Sequence, residues 1–116
     1  MRPRVHEMSL VESVVALVED ERRRQAFSRV RVVRLQVGAL GHAEPDALRF
    51  CFDAIARGTV AEGARLEIDV RAGEGWCEAC RRSARLDDRF ADCPTCGGVL
   101  RMTAGDELRL TELEVE

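Results

Sequence analysis

The sequence predicts an α+β fold: two helices pack on a three-stranded sheet, and a small cysteine-bearing module is inserted ahead of the last strand. Three observations carry this expectation. Two stretches, 10–26 and 45–57, place apolar residues on one side of a 3.6-residue period. Three others, 29–37, 65–71 and 107–116, are rich in β-branched or alternating aliphatic residues. Between the last two lies a segment of glycines and acidic residues that holds four of the five cysteines. A small sheet covered by two helices buries both apolar stripes. The main domain is then discontinuous, residues 1–70 plus 105–116, and the inserted domain spans 71–104.

Each element has its own local reason. Ser9 and Glu12 have capping-box spacing, which predicts a first helix from about Leu10 to Ala26. Leu10, Val11, Val14, Val15, Leu17 and Val18 form its apolar side. Glu19 with Arg23, and Asp20 with Arg24, fall at i,i+4 on its solvated side. RVRVVRLQV at 29–37 reads as a strand ended by Gly38. Glu44 and Pro45 mark the second helix start, because proline fits the first helical position. Leu48, Cys51, Phe52 and Ile55 are its buried stripe, so Cys51 reads as a small core side chain, and Gly58 as the stop. Leu66, Ile68 and Val70 alternate with charges as a half-buried strand. In the last strand the apolar parity changes between Leu110 and Leu113, which implies a bulge or a face switch.

The chain of 116 residues is 46% apolar and 34% charged, ordinary values for one domain with a small appendage. A net charge of -3 gives no general attraction to nucleic acid or anionic lipid. No stretch has the 18 or so uncharged apolar residues of a membrane span, and no signal peptide is recognisable, so the expected location is cytoplasmic.

The cysteines carry the clearest chemistry. Cys77 and Cys80 are two residues apart, as are Cys93 and Cys96, with twelve residues between the pairs. Each pair can curl so that both sulfurs face one point, and four thiolates make the closed shell of a structural Zn(II) site in a zinc-ribbon-like module. Gly97 and Gly98 permit the backbone angles that close the second turn. A single iron also accepts tetrahedral sulfur; zinc is preferred because metal-driven folding suits a segment of such low apolar content. A closed shell leaves no open position for hydrolytic chemistry. Arg81, Arg82, Arg85 and Arg89 are interleaved with Glu78, Asp87, Asp88 and Asp92, and only Trp76 and Phe90 offer stacking surfaces, which argues against nucleic acid.

VHEMSL at 5–10, VGAL at 37–40, EPDALRFCFD at 44–53 and the cysteine pairs occur in an order that resembles the HypA/HybF family of nickel metallochaperones for nickel–iron hydrogenase maturation. The resemblance runs from His6 to the final ELEVE. It implies a nickel-binding domain with a zinc domain inserted before its last strand, in which Cys77, Cys80, Cys93 and Cys96 hold structural Zn(II). It further implies that Ni(II) is transferred cargo, handed to the hydrogenase large subunit with the GTPase HypB, and that the chain is no enzyme. Urease maturation proteins and a homodimer are further partnerships it allows. His6 and Glu7 match the family's Met-His-Glu nickel motif. Glu44 corresponds to an acidic residue that approaches the nickel site in relatives, and His42 lies on the same loop. Two other classes stay open on the residues: a zinc-ribbon interaction module without nickel transfer, and a small zinc-dependent nucleic-acid binder.

Val5 stands where the family has its initiator methionine, and a GUG codon is read as methionine when it initiates. The resemblance therefore implies a native start at the codon for Val5, which places the α-amine next to His6 as a nickel donor. Protein made from its own gene is expected to have an intact mass lacking Met1–Arg4 and carrying methionine at position 5. A mass retaining Met1–Arg4, or valine at position 5, refutes that start.

Overall fold

Valines at 11, 14, 15 and 18 need a partner surface, and α1 (Val5–Gln25) buries all four. The computed structural model describes residues 5–116; the expected start at Val5 bears on Met1–Arg4, which lie outside the described residues. After α1 come β1 (Val30–Gly38), α2 (Pro45–Ile55), β2 (Arg65–Arg71), β3 (Gly73–Cys77), β4 (Arg82–Leu86), β5 (Leu100–Ala104) and β6 (Leu108–Val115). Two three-stranded sheets result, one ordered β2-β1-β6 and the other β4-β3-β5. The architecture is two helices packed against sheet, with a cysteine-cluster module that resembles a zinc-ribbon insertion.

Helix α1 begins five residues before the position that Ser9 suggested. Ser9 is an interior residue whose carbonyl accepts from the Ser13 hydroxyl, so it caps nothing. The surface pairing also differs from expectation. Arg23 bonds Asp20 and Arg24 bonds Glu21 at i,i+3. Glu19 instead turns inward, and its carboxylate accepts the Val60 N–H at 2.8 Å, holding the loop after α2. Leu17 is half exposed, outside the buried stripe. Helix α2 follows the sequence closely: Glu44 is its N-cap, accepting from Ala47 N–H at 2.9 Å, and proline stands at its first turn. Its C-cap is Ala56, and Gly58 follows at φ +78°.

The chain divides into two compact units. The first runs to Leu35 and adds Ala43–Ile68 and Leu110–Glu116. Its core joins the α1 valines to Leu48, Cys51 and Phe52 of α2 and Val30, Val32, Val33 and Leu35 of β1. On the exposed side Arg34 bonds Glu67, Glu112 and Glu114, which tie β2 and β6 to the central strand. The carboxylates hold that guanidinium firmly charged, Glu114 first and Glu67 next, and Arg65 and Arg34 lower the Glu67 carboxyl in turn.

The second unit comprises Gln36–His42 and Asp69–Arg109. Its backbone crossings are tight: a Cβ on Gly38 would lie 2.1 Å from the Gly105 carbonyl carbon, so neither glycine admits a side chain there. Leu40 packs against the module core. The inserted segment has its own sheet, which the glycine-rich sequence did not disclose.

Leu48 is fully buried, so Leu48→Ala is expected to lower stability by about 2–5 kcal/mol. Leu17→Ala is expected to cost about 0.5 kcal/mol or less. Denaturant unfolding of both variants checks the contrast.

Candidate metal centres

In the second unit, each cysteine pair closes one turn by the same device. The Arg81 N–H donates to the Cys77 carbonyl at 2.7 Å, and the Gly97 N–H donates to the Cys93 carbonyl at 2.8 Å. Both residues after the second cysteine are left-handed, Arg81 at φ 54° and Gly97 at φ +74°. The sequence pointed to Gly97, but the equivalent role of Arg81 was missed. Its signal was positional: Arg81 follows Cys80 as Gly97 follows Cys96. Gly98 is needed for another reason, since its amide donates to Cys96 Sγ at 3.3 Å and a Cβ there would meet that sulfur at 3.2 Å.

These turns bring the four sulfurs within 4.8 Å of one another. Cys77 Sγ lies 3.5 Å from Cys96 Sγ, and Cys80 Sγ lies 4.0 Å from Cys93 Sγ. A tetrahedron with metal–sulfur bonds of about 2.3 Å has edges of about 3.8 Å, so the set fits one metal ion. Cys77 and Cys93 are buried, Cys80 is half-buried and Cys96 is exposed. Without a cation Cys93 and Cys80 hold their protons unequally. Backbone N–H groups of Cys96 and then Thr95 pull the Cys93 thiol down to about 6, whereas the sulfur of Cys96 and burial push Cys80 up to about 12. A cation reverses that cost by pairing with all four negative sulfurs at once.

At the start of α1, neighbouring residues diverge by about 100°. His6 is exposed, and Glu7 is fully buried. Glu7 stands four residues before Val11, on the same stripe, which is the signal that could have revealed its inward course. Its carboxylate accepts the Glu44 N–H at 3.4 Å, so the first turn of α1 and the N-cap of α2 are joined within the first unit. Burial, and next the charge of Glu7, raise the Cys51 thiol, which keeps Cys51 a neutral core group. His42 is exposed and belongs to the second unit.

The paired turns, with four sulfurs placed to hold one ion, define a metal-binding protein. The family described as "Hydrogenase/urease nickel incorporation, metallochaperone, hypA" matches residues 5–115, and the chain belongs to that family. The hydrogenase maturation factor HypA of Methylocella silvestris is 69% identical, over 97% of this chain and 100% of that protein. HypA 2 of Bradyrhizobium diazoefficiens is 49% identical over the same shares. In fold, the chain is similar to the solution structure of the Ni metallochaperone HypA from Helicobacter pylori, with TM-score 0.70 and 23% identity, covering 94% of this chain and 96% of that one. Metallochaperones carry metal and turn over no substrate, so this family member is not an enzyme.

Gly97→Ala forces a side chain into the left-handed region and is expected to weaken zinc affinity about tenfold, from a strain of about 1 kcal/mol or more. Arg81→Gly relieves the matching strain and is expected to keep or raise it. Competition with a chromophoric chelator measures both. Protons compete with metal for sulfur, so affinity in either variant falls as pH falls.

Proposed function

We propose that the chain binds Ni(II) at the start of α1 and delivers it to the large subunit of a nickel–iron hydrogenase during maturation, in cooperation with the GTPase HypB. Zn(II) on Cys77, Cys80, Cys93 and Cys96 has the structural part in this reading, since the tetrathiolate shell is closed. The observation that carries the nickel assignment is the exposed imidazole of His6 in the first turn of a helix. Nitrogen donors of this kind suit Ni(II). The buried Glu7 carboxylate supports the turn from beneath, and the Glu44 carboxylate adds an oxygen donor. A native start at Val5 adds the α-amine. The family description supports nickel incorporation, and names urease beside hydrogenase as a destination. Such delivery belongs in the cytoplasm, where the large subunit is matured.

Nickel titration of the zinc-loaded chain, in forms starting at Met1 and at position 5, tests the reading. One histidine-dependent nickel per chain is expected, bound more tightly by the form starting at position 5. His6→Ala is expected to abolish uptake while zinc content and fold are kept, and His42→Ala and Glu44→Ala to reduce it less. Unchanged nickel binding in His6→Ala overturns the site. Zinc retention with no nickel uptake by either form makes the chain an interaction module instead.

A further inference from the structure

The four cluster sulfurs differ in exposure and in spacing. Cys96 is exposed, Cys80 half-buried, and Cys77 and Cys93 buried. Gly98 leaves the outer sulfur open on its side, since a Cβ there would stand 3.2 Å from Cys96 Sγ. The close approaches run between the two turns: Cys77 Sγ lies 3.5 Å from Cys96 Sγ, and Cys80 Sγ lies 4.0 Å from Cys93 Sγ. A disulfide joins sulfurs about 2.05 Å apart, so each of these pairs closes with a movement of about 2 Å or less. Both linkages would tie the first turn to the second, whereas linkages within a turn would leave the turns separate. Cys77 and Cys93 also share a buried cluster with Leu86 and Leu100, surroundings that suit an uncharged disulfide better than bare thiolates.

We propose that the sulfur group is a thiol–disulfide switch: a low-molecular-weight disulfide enters at Cys96, the quartet becomes Cys77–Cys96 and Cys80–Cys93, and the ion leaves while the turns stay joined. The inference rests on the structural-zinc reading above. In the first step the Cys96 thiolate attacks one sulfur of the oxidant, whose S–S bond breaks and releases one thiolate. The Cys77 thiolate then attacks the Cys96 sulfur, forming the cross-link and expelling the second thiolate. Two electrons pass from the protein to the oxidant in that sequence. A second molecule of oxidant converts Cys80 and Cys93 in the same way. No thiolate then remains to bind Zn(II), which is released as the hydrated cation.

The test uses the reduced, zinc-loaded full chain, glutathione disulfide as oxidant, and a chromophoric zinc indicator. Oxidation is expected to release one zinc per chain with loss of the cluster thiols, leaving the buried Cys51 as the remaining free thiol. Peptide mapping after a brief exposure and acid quench should find the first glutathione adduct on Cys96. Mapping at completion should find Cys77 joined to Cys96 and Cys80 to Cys93. Reduction with a phosphine in the presence of zinc should restore one bound ion. Zinc retained under oxidant overturns the proposal alone. So do a first adduct on another cysteine, linkages within a turn, or failure to reload after reduction. A reduced chain that binds no zinc overturns the structural-zinc reading and this proposal with it.

Discussion

One buried cluster of the second unit comprises Cys77, Leu86, Cys93 and Leu100, so two of the four side chains in that cluster are cysteines of the sulfur group. With the partly buried Leu40, Ala84, Ala91 and Met102 packed against it, this remains a small apolar core. On the proposed zinc reading, sulfur–metal bonding supplies the remainder of the stability, and the strands are placed around the cluster that could hold the ion. Strand β3 ends at Cys77, β4 begins two residues after Cys80, and β5 returns four residues after Cys96. Leu40 covers the core from the loop after β1, and the approach of Gly38 to Gly105 lets that loop sit close. The order of causation runs from ligand spacing to turn geometry to strand pairing.

The first unit depends on ordinary apolar burial, with polar groups placed where the backbone has no other partner. Glu44, Glu19 and Glu62 each accept an otherwise unpaired amide, from Ala47, Val60 and Gly58 respectively. Glu7 does the same for Glu44, but from full burial. A buried carboxylate needs hydrogen-bond partners, and the Glu44 N–H is one, so Glu7 links the first turn of α1 to the start of α2. With Glu7 turned in, His6 has no choice but to face out. His6 and Glu7 are thus adjacent residues on different faces of the first turn, one exposed and the other buried.

Much of this was legible in the residues. The valine spacing, the Glu44–Pro45 start and the RVRVVRLQV run each specify one local structure, and their burial follows the predicted pattern. The cysteine spacing disclosed the clustering of four sulfurs because few other arrangements use two such turns. What was hidden depended on contacts distant in sequence. Ser9 and Glu12 matched a capping box, yet packing of Glu7 against α2 extends the helix past them. Glu19 matched a surface pair, yet the loop at Val60 claims it. The β4-β3-β5 sheet was hidden because cysteine geometry, and no alternation of apolar residues, dictates its pairing. Arg81 shows the same limit: a long basic side chain gives no sign of a left-handed backbone until the two turns are compared.

The sulfur quartet is unevenly shielded, with Cys77 and Cys93 enclosed and Cys96 at the surface beside two glycines. A competing thiol, chelator or oxidant therefore meets Cys96 first. Exchange of an ion placed there by the proposed reading would begin at that outermost sulfur, and the protected pair would be the last to let go.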